Sequence, residues 1–106
     1  MTVTATAHVP TAAGSRYLQQ LCKHWSHNLA VEYDSQAGRV TFPSDGRGGS
    51  WAGEGVLSLA AKPDTLECTI TASEEGQLEM LKRVVAEHLD RFAFREAPLT
   101  FDWQDR

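Results

Sequence analysis

VLSLAAKPDTLECTITA, residues 56–72, contains two strand patterns separated by a turn. In the second pattern, Leu66, Cys68 and Ile70 alternate with polar residues, which is the period of two expected of a strand with one buried face. The turn is marked by Lys62-Pro-Asp-Thr65, because proline and aspartate favour tight turns. The stretch predicts an antiparallel hairpin with one apolar face, and that face requires a covering layer.

Two amphipathic helices are predicted to supply the covering layer. The first is expected to follow an N-cap at Thr11 and to run to about Asn28. The second is expected to follow an N-cap at Ser73 and to run to about Phe94. Glutamates in its first turn would interact favourably with the positive end of the helix dipole. Their apolar stripes are Leu18, Leu21, Cys22 and Trp25 in the first helix, and Leu78, Leu81, Val85, Leu89 and Phe92 in the second.

The remaining strands are predicted from the same alternation. They are residues 2–9, a hairpin over residues 29–42, and a last strand carrying Leu99, Phe101 and Trp103. Residues 43–50 are rich in glycine and small polar side chains, which indicates an adaptable loop. The predicted fold is a single α+β domain over residues 1–106, a two-layer sandwich with two helices on one face of a mainly antiparallel sheet, in the order β-α-ββ-ββ-α-β.

Composition excludes several classes of function. Hydrophobic residues make up 42% and charged residues 23% of the chain, which are ordinary globular values. Ten Lys and Arg against fourteen Asp and Glu give a net charge of −4, and no basic stripe is present to bind nucleic acid. The N-terminus lacks a signal-peptide pattern and no apolar run could span a bilayer, so we expect a cytoplasmic protein without a membrane partner.

Nucleophilic residues supply no argument for catalysis. Cys22 and Cys68 are expected to be free thiols in a reducing compartment. Cys22 projects into the predicted core, where a thiol is inert, and neither Ser15 nor Ser26 has a recognisable base beside it. We name no catalytic residue and no cofactor, and an enzyme is the less favoured reading.

Histidines on the two helices form the candidate site. His24 and His27 are three residues apart on one helical face and could chelate one ion, with a further ligand from elsewhere. His88 lies on the corresponding margin of the second helix. If the two margins meet, His24 and His88 converge with Tyr17, Arg91 and Arg95 in the groove between the helices. The candidate metal ligands are His24, His27 and His88, and the candidate ligand-binding residues are Tyr17, Arg91 and Arg95. In the alternative interpretation, the histidines pack against or cap the helices, and the arginines form surface ion pairs.

Several segments resemble one uncharacterised bacterial family, labelled domain of unknown function 2218. They are RYLQQLCKHWSH (16–27), VEY (31–33), GRVTFP (38–43) and HLDRFAFRE (88–96), followed by Leu99 and Trp103. The resemblance covers nearly the whole chain, although residues 44–55 are longer and richer in glycine than the family's usual hairpin. Because members tend to occur beside siderophore-utilisation proteins, the resemblance implies an accessory role in iron acquisition.

Two functions from different classes follow. In the first, the chain binds a metal ion or a small anionic chelate between its helices. In the second, it is a non-catalytic interaction module, either a homodimer or a docking domain for a larger redox partner such as a siderophore-utilisation protein. The contact would then come from Trp51, Val56 or an unpaired sheet edge.

Overall fold

Residues 2–46 and 49–105, which the computed structural model describes, form two helices and eight strands. In chain order these are β1 (Val3–Pro10), α1 (Gly14–Trp25), β2 (Ala30–Tyr33), β3 (Ala37–Phe42), β4 (Asp45–Gly46), β5 (Gly49–Ser50), β6 (Gly55–Ala61), β7 (Thr65–Ala72), α2 (Glu75–Phe92) and β8 (Gln104–Asp105). The predicted α+β architecture and element order are confirmed.

The hairpin of β6 and β7 lies at the centre of a six-stranded sheet with the order β2-β3-β6-β7-β1-β8. Every neighbouring pair is antiparallel. Ile70 lies between Leu57 on one side and Ala5 on the other, so the apolar residues of three strands share one face. The polar residues that alternate with them point to the opposite face.

Both helices cover the apolar face of the sheet. Because the apolar side chains recur every three or four residues, each helix turns one stripe toward the sheet. The fully or almost fully buried side chains of the stripes are Tyr17, Leu18, Leu21, Cys22 and Trp25 in α1, and Gln77, Leu78, Leu81, Val85 and Leu89 in α2. The predicted stripes are buried except for Phe92, which is half-buried at the margin.

Both predicted N-caps are wrong. The N-cap residue of α1 is Ala13, which directly precedes the helix. The hydroxyl of Thr11 accepts a hydrogen bond from the Ala13 amide at 3.1 Å. The first residue before α2 is Glu74, while the hydroxyl of Ser73 donates to the buried amide oxygen of Gln77 at 2.7 Å. Each hydroxyl also donates to a distant acceptor, which is the Glu96 carboxylate for Thr11 and the Gly53 carbonyl for Ser73.

The predicted last strand is also shorter than expected. Of the described residues after α2, only Gln104 and Asp105 pair with β1, and residues 99–103 do not form a strand. Phe101 and Trp103 instead stack on each other, with ring centroids 5.8 Å apart. In the predicted loop, β4 and β5 form a separate two-stranded sheet, and its tip at residues 47 and 48 lies outside the described residues.

The two apolar residues expected to form a contact surface are less exposed than predicted. Trp51 and Val56 are both half-buried, and the indole of Trp51 covers Gly76 at the start of α2. Among the described residues, the large apolar side chains that are exposed are Tyr33, at 43%, and Phe94, at 72%. In the same residues, neither helix has the length and apolarity that crossing a membrane requires.

Candidate ligand-binding groove

The margins of α1 and α2 meet at two histidines. The ring centroids of His24 and His88 are 5.7 Å apart, with an angle of 41° between the ring planes. His24 lies in the last turn of α1 and is exposed, whereas His88 is half-buried on α2. We call these two residues the histidine pair.

His88 is held in one orientation by its own helix. Its Nδ1 atom lies 2.8 Å from the carbonyl oxygen of Val84, one turn earlier. Because a carbonyl can only accept a hydrogen bond, Nδ1 carries the proton, and in the neutral ring Nε2 is left as a free acceptor. A backbone carbonyl that fixes one imidazole nitrogen in this way is a common arrangement for a histidine that binds a metal through the other.

Each ring of the histidine pair packs against an aromatic side chain. The indole of Trp25, only 6% exposed, packs against the His88 ring with centroids 5.0 Å apart. Phe92 meets the His24 ring edge-on at 5.9 Å. These contacts restrict both imidazoles, so less conformational entropy is lost when they bind a ligand.

A cleft of about 260 Å³ continues from the histidine pair toward the start of α1. Phe92 joins the two regions, because it contacts His24 and also lines the cleft. We call this region the arginine cleft, and its lining residues are Arg16, Tyr17, Gln20, Phe92, Phe94 and Arg95. The histidine pair and the arginine cleft share Phe92, and we call these two adjoining regions the groove between α1 and α2.

Two guanidinium groups, against one carboxylate in the wall, Glu96, give the arginine cleft a net positive charge. Arg16 lies over the ring of Tyr17, 5.4 Å from its centroid, and Arg95 lies over the ring of Phe94 at 5.7 Å. Within residues 2–46 and 49–105, the salt bridges involve His8 and Lys82 and neither of these arginines. Both guanidinium groups therefore have donors available for an anion.

A hydrogen-bonded cluster fixes the wall of the cleft. The buried hydroxyl of Tyr17 donates to the carboxylate of Glu96, and the hydroxyl of Thr11 donates to the same carboxylate, 3.0 and 3.1 Å from its two oxygens. The hydrogen bond to Glu96 raises the pKa of Tyr17 above its usual value and burial raises it further, while the neighbouring Arg16 lowers it by a smaller amount. Tyr17 therefore stays protonated, and its bond to Glu96 anchors the turn that carries Phe94 and Arg95.

The structure places the predicted site residues in three groups. His24 and His88 are in contact, while Tyr17 and Arg95 line the adjoining cleft. His27 is exposed after the end of α1, and Arg91 is exposed in the last turn of α2. Among the described residues, the ring of His27 does not pack on the histidine pair, and neither His27 nor Arg91 lines the cleft.

Four residues of the cleft were missed by the sequence analysis. Arg16 and Gln20 lie eight and four residues before His24, so a helical projection of α1 could have found them. Phe92 was assigned to the core stripe, and Phe94 to the end of the helix. Their place in the cleft depends on where α2 ends, which the sequence did not locate.

The described residues contain no group of three or more His, Cys, Asp or Glu side chains placed to hold a metal ion. The two cysteines do not add to the histidine pair. Both are free and fully buried, and burial raises the pKa of Cys22 to about 11 and that of Cys68 to about 12. A buried, protonated thiol is neither a good nucleophile nor a metal ligand.

These buried thiols predict a loss of stability at high pH. Below the ordinary thiol pKa of 9.0 both states are protonated, whereas above it the unfolded chain ionises and the folded chain does not. We expect the free energy of unfolding to fall by up to about 1.4 kcal/mol per thiol per pH unit above pH 9. Guanidinium unfolding at about pH 8 and about pH 10 measures the loss. The double variant Cys22→Ala, Cys68→Ala is the control, and an equal loss in that variant would contradict the assignment to the thiols.

Comparison with known proteins supports the fold and the resemblance found in the sequence. The chain is similar to the protein in the "NMR structure of PA4090 from Pseudomonas aeruginosa", with 33% identity, a TM-score of 0.72, and coverage of 95% of this chain and 94% of that chain. No curated protein matches the chain. The family model for an uncharacterized protein conserved in bacteria (DUF2218) matches residues 6–104. Because this match spans almost the whole sequence, the chain belongs to the bacterial family of domain of unknown function 2218.

Proposed function

We propose that this chain is a binding domain for a small anionic metal chelate, held in the groove between α1 and α2. The observation that carries the proposal is the histidine pair, two imidazoles 5.7 Å apart of which His88 is fixed with Nε2 free. Imidazole nitrogen is a suitable ligand for iron, nickel, copper and zinc. His24 and His88 would bind two adjacent coordination positions of the metal.

A chelate fits the groove better than a bare metal ion. Two imidazoles fill only part of a coordination shell, and the described residues supply no third ligand beside them. The remaining donors must then come with the metal, on a molecule whose negative charge the arginine cleft would balance. Arg16 and Arg95 have this role in the proposal, and the ring of Tyr17 forms part of the wall. Arg91 adds positive charge from the last turn of α2, and His27 lies exposed after the end of α1.

Iron is the metal that the family resemblance favours. The groove chemistry is compatible with it, because imidazole and anionic oxygen donors both bind iron. The proposed role is therefore accessory to iron and siderophore utilisation, with a ferric chelate as the bound cargo. No reaction is proposed for the groove.

Titration of untagged protein with Ni²⁺–nitrilotriacetate tests the proposal. This anionic chelate leaves two adjacent coordination positions open, which matches the histidine pair. We expect His24→Ala and His88→Ala each to weaken binding at least about tenfold, because even outer-shell partners of a metal site contribute about 10–100-fold. Isothermal calorimetry measures the Kd, and ferric citrate serves as a second chelate.

The matched control is His8→Ala. His8 is exposed on β1 and pairs with Glu67 at 3.1 Å, so its removal deletes a histidine outside the groove. Binding should be unchanged in this variant, and metal-free nitrilotriacetate should bind much more weakly than its nickel complex. Equal affinity of the wild type and both groove variants would disprove the role of the histidine pair.

The second candidate function, an interaction module, has one supporting observation. Edge strand β2 ends at Tyr33, which is 43% exposed, and an unpaired edge can pair with another chain. A homodimer or a docking domain for a redox partner could use this edge. Light scattering after gel filtration tests the dimer, and a monomeric mass at high protein concentration would remove it.

A further inference from the structure

Phe94 is a large apolar side chain that is exposed to solvent. It is 72% exposed, and it lies in the turn directly after α2, where it forms one side of the arginine cleft. The ring of Phe92 lines the same cleft. The cleft therefore presents aromatic surface that the fold itself does not cover.

The same cleft presents guanidinium groups beside these rings. Arg95 lies over Phe94 and Arg16 over Tyr17, so each charged group is held next to an aromatic face. A planar guanidinium binds a carboxylate through two parallel hydrogen bonds, which a lysine cannot do. Aromatic walls with a guanidinium at the rim are complementary to a flat ring that carries a carboxylate.

The wall is also fixed before any ligand arrives. The Glu96 carboxylate joins Thr11 and Tyr17, and the Ala97 amide donates to the carbonyl of Ala93 at 2.9 Å. These bonds hold the turn of residues 93–97 against the first turn of α1. A wall that does not need to be ordered on binding costs less affinity.

The size of the cleft agrees with a single ring. An apolar cavity of about 150 Å³ accepts benzene, so a cleft of about 260 Å³ has room for one ring and its carboxylate. We infer that the arginine cleft binds an aromatic carboxylate, with the ring against Phe92 and Phe94 and the carboxylate on Arg95 and Arg16. This inference rests on the proposed function, because it assigns the chemical class of the organic part of the bound chelate.

Benzoate is the probe, titrated into isotopically labelled protein and followed by NMR chemical shifts. We expect shifts centred on residues 16–20 and 92–96. Cyclohexanecarboxylate, which has the charge but no aromatic face, should bind roughly two- to tenfold more weakly. Benzamide, which has the ring but no charge, should bind at least about tenfold more weakly. Equal binding of all three compounds, or shifts confined to other residues, would overturn the inference.

Two variants at the rim of the arginine cleft test the contributions of the aromatic ring and of the guanidinium group separately. Phe94→Leu keeps apolar volume without an aromatic ring, and Arg95→Lys keeps the charge without the planar fork. Each should weaken benzoate binding severalfold, whereas Arg83→Gln, an exposed charge elsewhere on α2, should leave it unchanged. Wild-type affinity in both rim variants would contradict the assignment.

Failure of this inference can be distinguished from failure of the proposed function. If Ni²⁺–nitrilotriacetate binds through His24 and His88 but benzoate does not bind, the aromatic assignment is wrong and the chelate proposal stands. If benzoate binds in the arginine cleft but both histidine variants bind the chelate as tightly as the wild type does, the chelate proposal is wrong. The cleft would then be an aromatic-acid site in its own right.

Discussion

Replacing Trp25 with alanine is expected to lower the free energy of unfolding by about 3–5 kcal/mol. The indole is 6% exposed at the end of α1, and it meets the ring of Phe42 edge-on with centroids 5.1 Å apart. Its removal takes away apolar contact and leaves a cavity between α1 and β3 that the surrounding residues cannot fill. For a domain of this size the loss is a large share of the total stability of about 5–15 kcal/mol.

The same substitution should also weaken chelate binding, because the His88 ring packs on the indole at 5.0 Å. Denaturant unfolding followed by far-ultraviolet circular dichroism measures the stability, and calorimetry at low temperature measures the binding. Trp25→Phe retains an aromatic ring and should lose less stability and less binding affinity than Trp25→Ala. Phe94→Ala removes an exposed aromatic and should change stability by less than about 0.5 kcal/mol. A loss below about 1 kcal/mol in Trp25→Ala would contradict the packing described for this residue.

Replacing Gly38 with alanine is expected to lower the free energy of unfolding by about 1–3 kcal/mol. A Cβ atom at this position on β3 would lie 2.7 Å from the sulfur of Cys22 and 3.3 Å from a methyl group of Leu18. Cys22 is fully buried and has a single side-chain torsion, so it has little freedom to move away. Gly38 is therefore required by the close approach of α1 to the sheet.

A double-mutant cycle tests this explanation directly. Cys22→Ala removes the sulfur that the new Cβ would meet, so Gly38→Ala should cost less in that background than in the wild type. We expect a coupling energy within the range of about 0.5–3 kcal/mol that is typical of residues in contact. Strictly additive effects would mean that the cost comes from the strand backbone and not from the contact with α1.

Local pattern was sufficient to predict most of the fold. The alternation at Leu66, Cys68 and Ile70 and the helical stripe through Leu81 and Leu89 depend on which residues can be buried together, and the structure buries all five. The errors are at element ends. There the hydroxyls of Thr11 and Ser73 donate to distant acceptors, the Glu96 carboxylate and the Gly53 carbonyl, and these partners are decided by tertiary structure.

The candidate groove was only partly predictable for the same reason. A helical projection placed His24 and His88 on helix margins, but whether the margins meet depends on how two helices lie side by side on the sheet. The structure brings these imidazoles to 5.7 Å, and of the described residues neither His27 nor Arg91 lines the cleft beside them. The turn after α2, which carries Phe94 and Arg95, is fixed by Glu96 through contacts with residues about eighty positions earlier in the chain.

The sequence by itself determined an α+β fold, with two helices over the hairpin that begins at Val56, because burial of apolar side chains follows from their spacing. Tertiary structure alone decided that the helix margins form a groove, that Arg16 and Phe94 line it, and that the polar residues at the helix ends bind distant partners. Spacing determines which face of an element is buried. Only the packed fold determines which side chains from different elements come within contact of each other.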